Sequence, residues 1–167
     1  MPEMGINSLK NNLDNPARSY LWEVLFPNPI GGDTDTLLLR CRSTSIPGVS
    51  VGSILLPYKQ TGGVKYAGKK TYSHTWACTF VEGEDRAMWD AFYDMAQAIV
   101  NDETGLGSFG IKKDVYLHLL NTDGTVSKRI KLVGTYVESQ EDIALSYDEE
   151  GAILISVSFS YDYWTKV

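Results

Sequence analysis

Residues 153–164 read ILISVSFSYDYW, and no other stretch limits the possible folds so strongly. In an extended chain Ile153, Ile155, Val157, Phe159, Tyr161 and Tyr163 fall on one face, and Leu154, Ser156, Ser158, Ser160 and Asp162 on the other. One face is apolar or aromatic throughout and the other holds a single apolar residue, which is the period of a half-buried strand. Twelve residues at roughly 3.4 Å each make a strand of about 40 Å, near twice the usual length. Such a strand needs partners along its length, or it exposes a row of unpaired backbone groups.

Other segments alternate in the same way. In 18–26, Tyr20, Trp22, Val24 and Phe26 oppose Ser19 and Glu23. In 70–81, Tyr72, His74, Trp76, Cys78 and Phe80 oppose Thr71, Ser73, Thr75 and Thr79, a mixture that suits a pleated surface. Further strands are predicted at 37–42, 51–56, 115–120, 126–137 and 143–147. Pro27, Pro29, Gly31 and Gly32 end the first strand, Ser45-Ile46-Pro47-Gly48 bends the chain, and Asn121-Thr122-Asp123-Gly124 is a hairpin signal. Residues 60–70, rich in Gly and Lys, read as an exposed loop or wide hairpin tip. One helix is predicted at about 84–100. There Met88, Ala91, Phe92, Met95 and Ile99 keep a 3.6-residue spacing, with Glu84 and Asp85 in the first turn where the helix dipole favours them. The expected fold is mainly β, a two-sheet sandwich or barrel with one packed helix, in a single domain over 1–167 that begins with a loose arm at 1–14.

A chain of 167 residues is long enough to bury a core without staples. It has no run of 18 apolar residues, and its first residues lack the apolar segment of a secretory signal. Two cysteines do not make a disulfide framework, and Cys41 and Cys78 read as reduced core thiols. Charge is unevenly laid out. Residues 36–81 contain no acid and six bases, Arg40, Arg42, Lys59, Lys65, Lys69 and Lys70. That stretch carries +6, so the rest carries −12 for a total of −6. The total argues against a nucleic-acid-binding surface, whereas the split lets a basic edge of one copy meet an acidic edge of another.

Three short motifs fail on context. Residues 105–110 fit G-x-G-x-x-G but follow a helix and precede a strand, the reverse of a dinucleotide site. Residues 63–70 lie one residue from a P-loop, with Lys70 in place of the Ser/Thr that holds magnesium and a strand where a helix is needed. Gly48-Val49-Ser50-Val51-Gly52 fits a nucleophile elbow without the strand-to-helix turn that exposes the serine. His74 and His118 stand apart on separate strands, and the acid run 138–150 lacks the spacing of a calcium loop. No catalytic, cofactor or metal site is expected.

Several segments together carry a family resemblance. They are Asn15-Pro16-Ala17-Arg18-Ser19-Tyr20-Leu21-Trp22-Glu23-Val24, the Ile46-Pro47-Gly48 bend, and Ala67-Gly68 ahead of Thr71-Tyr72 and Trp76. Glu84-Asp85 opening a helix that holds Phe92, and Phe159 followed by Tyr161-Asp162-Tyr163-Trp164, complete the set. Over residues 14–164 the chain resembles the tail tube proteins of contractile phages of the T-even type and of related contractile injection systems. Many members carry a proline where this chain has Val137. The resemblance implies no enzyme activity and no cofactor. It implies a homo-oligomer: hexameric rings that stack into a hollow tube inside a sheath, joined to baseplate and tail terminator proteins. That tube conducts DNA and the tape measure protein in a virion tail assembled in the host cytoplasm. A baseplate or tail-end adaptor, or the inner tube of a type VI-like secretion system, is the alternative of the same fold. Residues 44–68 are expected to form an extended inter-subunit loop. The contacts between subunits or rings are expected at Ile46, Pro47, Val49, Lys59, Lys65, Tyr66, Lys69 and Lys70, meeting Glu141, Asp142, Glu149 and Glu150 of a neighbour.

Overall fold

A computed structural model describes residues 6, 10, 16–26, 40–108 and 110–167. Of the arm expected at 1–14, Ile6 and Lys10 are described, and both are helical and exposed. The remainder of that arm, the Pro/Gly break at 27–32 and the first half of the strand predicted at 37–42 lie outside the described residues.

Nine strands and a helix are described: β1 (Trp22–Leu25), β2 (Cys41–Thr44), β3 (Ser50–Tyr58), β4 (Thr61–Thr71), β5 (Thr75–Val81), α1 (Ala87–Ile99), β6 (Lys113–Leu120), β7 (Val126–Gln140), β8 (Leu154–Ser160) and β9 (Tyr163–Lys166). All pairings are antiparallel. The main sheet runs β1-β6-β7-β8-β5-β2, with β9 also on β7, and β3-β4 form a second, two-stranded sheet. The mainly β expectation, with two sheets and a packed helix, holds.

The fifteen-residue β7 joins two halves of the main sheet. Its first half pairs with β6 on one side and with β9, through Ile130 to Val133, on the other. Its second half pairs with β8 through Tyr136 to Gln140. Between them Gly134 takes a left-handed backbone, φ 68°, a region in which glycine alone is unstrained. The buried positions shift phase there, from Ile130 and Leu132 to Thr135 and Val137, as a one-residue irregularity requires when side chains alternate with period 2.

The last strand answers the same bend. The segment expected as one strand of twelve residues is two, β8 and β9, because the chain turns at Tyr161–Asp162. The Asp162 N–H donates to the Val133 carbonyl at 2.9 Å, and the Asp162 carboxylate accepts from Lys112 Nζ at 2.8 Å. The buried face is as read through Tyr161, but Tyr163 is exposed. The length argument is therefore corrected: β8 lies inside the sheet, closed by β5 and β7 of its own chain. The long strand expected at 70–81 is broken too. His74 is left-handed at φ 59°, and its Nδ1 lies 3.0 Å from the carbonyl of Tyr161, whose N–H donates to the His74 carbonyl at 3.1 Å.

Trp76, Cys78 and Phe80 of β5 stand opposite Phe159, Val157 and Ile155 of β8, and all six are buried. Phe26, just after β1, reaches across to Phe159 at 5.5 Å and Phe80 at 5.9 Å between ring centroids. The helix lays Met88, Ala91, Phe92 and Met95 on this core, with Phe92 at 4.9 Å from Phe80. Truncating such a ring costs about 3–5 kcal/mol. The helix start is held from outside: the buried Glu82 carboxylate accepts from the N–H groups of Gly83 (2.9 Å), Met88 (3.3 Å) and Trp89 (2.9 Å). The Met88 and Trp89 groups are donors the first turn leaves open. Cys78 is buried and Cys41 half-buried, both free. The Asn121–Gly124 turn forms as read, with Gly124 at φ 83°. Residues 143–147, expected as a strand, belong instead to an irregular connection between β7 and β8.

Two outcomes follow. Gly134→Ala places a methyl against the Asp162 carboxylate on a left-handed backbone, and should destabilise by about 1–3 kcal/mol. Urea unfolding should show a lower midpoint with an unchanged slope, and a shift under about 0.5 kcal/mol would refute the bend's role. The second concerns acid. The hydrogen bond from Lys131 holds the Asp114 carboxyl below the usual carboxylate range, and that from Arg40 does the same for Asp85. A lowered folded-state pKa contributes stability above the unfolded value of about 3.9, lost as pH falls through the lower folded value. The thermal midpoint should therefore drop below about pH 4, and less steeply in Asp114→Asn. An identical acid slope in that variant would clear Asp114 of the effect.

Candidate assembly surface

Of the two readings of residues 60–70, the loop fails and the exposed hairpin holds, though the stretch is its second strand more than its tip. These residues are mostly β4, paired with β3 across a tight turn at Lys59–Gln60. Lys59 takes φ 47° at the tip, and Thr61 Oγ1 donates to the Tyr58 carbonyl at 2.7 Å. The glycines that suggest a loop serve the pairing. Gly52 and Gly68 sit where the register slips and the two backbones come close, so that a Cβ on Gly68 would stand 3.1 Å from the Gly52 backbone.

The root of the hairpin is tacked to the body. The Trp76 indole donates to the Ser45 carbonyl at 2.8 Å and the Trp164 indole to the Gly48 carbonyl at 3.1 Å. Pro47 between them is buried, and Ser50 Oγ lies 2.7 Å from Thr71 Oγ1. Past this root the hairpin leaves the body. Every residue of β3 is exposed, and every residue of β4 except Gly68. The register places Ile54 opposite Tyr66 and Leu56 opposite Val64, so four large apolar side chains share one face, each more than half exposed. Lys65 and Leu55 oppose each other on the other face. Monomeric proteins rarely leave such a contiguous patch bare.

The acid lies elsewhere. Residues 141–153, joining β7 to β8, carry Glu141, Asp142, Asp148, Glu149 and Glu150 and no base, and they expose Leu145 and Tyr147 almost completely. Of the residues expected to meet between copies, Ile46 and Val49 are exposed at the hairpin root and Pro47 is buried. Lys59 is at the tip, and Lys65, Tyr66, Lys69 and Lys70 lie along β4. The four expected acids all lie in the 141–153 connection, so the expected basic and acidic contacts stand on separate elements. The apolar face of the hairpin went unread in the sequence, although Ile54, Leu56, Val64 and Tyr66 alternate plainly once the strands are known.

Ser50, His74 and His118, the groups that a hydrolytic reading needs, lie on three separate elements. They pair with Thr71, Tyr161 and Glu23 respectively, His118 Nδ1 lying 2.9 Å from Glu23 Oε1.

No family model matches the sequence, and no curated protein matches it. Solved structures match the fold. A chain of the anti-feeding prophage cap, a tube-terminating cap, superposes with a TM-score of 0.71 at 16% identity, covering 98% of this chain and 99% of that one. A chain of the PVC sheath/tube terminator, from an extracellular contractile injection system, gives 0.70 at 15% identity over 93% and 99%. One from the PVC sheath-tube complex gives 0.68 at 14% identity over 93% of both. The chain has the fold of the tail tube and tube-terminator proteins of contractile injection systems.

Proposed function

We propose that the chain is a structural subunit of the tube of a contractile phage tail or a related injection system. Copies close into hexameric rings, and rings stack around a passage for DNA and the tape measure protein. The sheath lies outside, and baseplate and terminator proteins close the ends. The tube belongs to the virion tail and is assembled in the host cytoplasm.

The observation that carries this reading is the β3–β4 hairpin, whose apolar face stays more than half exposed. Residues 44–68 are then the inter-subunit arm. Covering the exposed half of Ile54, Leu56, Val64 and Tyr66 contributes roughly 1 kcal/mol each, about 4 kcal/mol per contact. That is too little to hold one pair of copies firmly, but enough when every copy makes and receives the contact. An arm that docks on a different patch of its neighbour makes a heterologous contact, the kind that builds rings when it closes and filaments when it does not. Open strand edges point the same way. Among the described residues β1, β2 and β9 each pair on one side only, and neighbouring copies are the natural cover for such edges.

The passage need not attract DNA. A net charge of −6 per copy gives −36 for six, and the outward face of β5 and β8 offers Thr75, Ala77, Thr79, Ser156, Ser158 and Ser160, with no cation to hold a phosphate. A tube map with Arg129 and Lys131 lining the lumen would overturn this part of the reading. The terminator or adaptor role is the second reading, supported by the match to the prophage cap over nearly the full length of both chains. A terminator occurs as one ring per tube and a tube subunit as many, which labelling of intact particles separates.

The assembly itself is tested with Leu56→Glu combined with Val64→Glu. Both positions face solvent in one copy, so the thermal midpoint should stay within the shift of about 0.5 kcal/mol usual for surface changes, while rings and tubes vanish from negative-stain images. Normal assembly by this variant, or a wild-type chain that stays monomeric at the highest concentration reached, would overturn the proposal.

A further inference from the structure

We infer that the groove between the start of α1 and the β7–β8 connection is the receptor for the β3–β4 hairpin of a second copy. The inference rests on the reading above and names the partner surface of the arm.

The groove has a volume of about 580 Å³ and is walled by Glu82, Arg86 and Trp89 on the helix side and by Glu141, Asp142 and Leu145 on the other. It is apolar and acidic at once, the complement of a hairpin that has Ile54, Leu56, Val64 and Tyr66 on one face and Lys65 on the other. Trp89 is half exposed and Leu145 is 79% exposed, so both are left for an incoming apolar face. Glu82 is occupied with the helix N–H groups and with Arg40 at 3.7 Å. Arg86 is the one cation of the wall among the described residues. Glu141 and Asp142 have no side-chain partner among the described residues, and Asp148, Glu149 and Glu150 extend the acid along the same connection. On the hairpin, Lys65 and Lys69 are without an ion-pair partner among the described residues, and no acid occurs anywhere from 36 to 81. Opposed potentials of this kind steer two surfaces together and fix their register.

A second cleft competes for the arm. It has a volume of about 650 Å³ and lies at the hairpin root, between Pro16, Trp22, Ile46 and Leu119. Among the described residues its charged groups are Arg18 and Lys128, with no carboxylate. An arm bearing four lysines and no acid finds no opposite charge among the described residues there, whereas the groove beside α1 supplies it.

The experiment is a charge swap read by sedimentation and negative-stain microscopy of the full chain. The hairpin pair Lys65→Glu with Lys69→Glu, and the groove pair Glu141→Lys with Asp142→Lys, should each weaken assembly about tenfold or more at physiological salt. The four changes together should restore it to within about threefold of wild type, since opposite charges face each other again. Circular dichroism melts check that each variant folds. A groove pair that assembles normally, or a fourfold variant no better than its parents, overturns the inference. If the groove pair assembles normally while Leu56→Glu with Val64→Glu does not, the arm docks elsewhere and the tube reading stands. If neither set affects assembly, both fall.

Discussion

The fold depends on one strand doing the work of two. β7 begins in a half-sheet with β6 and β9 and ends in another with β8, and the change is made at Gly134. The bend requires a residue without Cβ, because the backbone is left-handed and the Asp162 carboxylate occupies the space a side chain would fill. Asp162 is in turn the residue at which β8 gives way to β9. The two corners are locked by the Asp162 N–H on Val133 and the Gly134 N–H on Asp114 Oδ1 at 3.2 Å. A straight β7 would leave a single flat sheet with one face of aromatics in water. The bend folds that face on itself.

Everything buried follows from that closure. Phe26, Trp76, Phe80, Phe92 and Phe159 meet in one aromatic cluster because the bend brings β1 over β5 and β8, and because Glu82 fixes where the helix begins. The core of the body is then closed, and β8 lies inside the sheet between β5 and β7. What is incomplete is the hairpin. It takes its direction from two indole donors at its root and then leaves the body with an apolar face uncovered. On the proposed reading such a body with one uncovered arm is a unit for repetition, each copy offering an arm to one neighbour and a receptor to another.

Much of this was legible in the residues. The alternation in β1, β5 and β8, the spacing of Met88, Phe92 and Met95, and the Asn121–Gly124 turn each rest on a local pattern, and each formed as read. The charge divide was legible because it needs no geometry. The breaks inside long alternating runs were not. His74 and Asp162 carry no turn signature, and alternation runs straight through both, because what stops the strand is a hydrogen bond to a residue far along the chain. In β4 the error ran the other way. Gly62, Gly63 and Gly68 read as loop residues, whereas the pairing with β3 uses them at a bulge and a close approach.

The sequence by itself determined which face of β1, β5, β8 and the helix turns to the core, since a period of 2 or 3.6 is a property of consecutive residues and apolar area drives each such segment to hide one face. It also determined the sign of charge that each segment carries. Only the tertiary structure decided where strands stop, which half-sheet each joins, and that the apolar face of β3 and β4 stays exposed among the described residues. Those outcomes turn on pairings between residues far apart in sequence, and a local pattern holds no record of the partner that ends it.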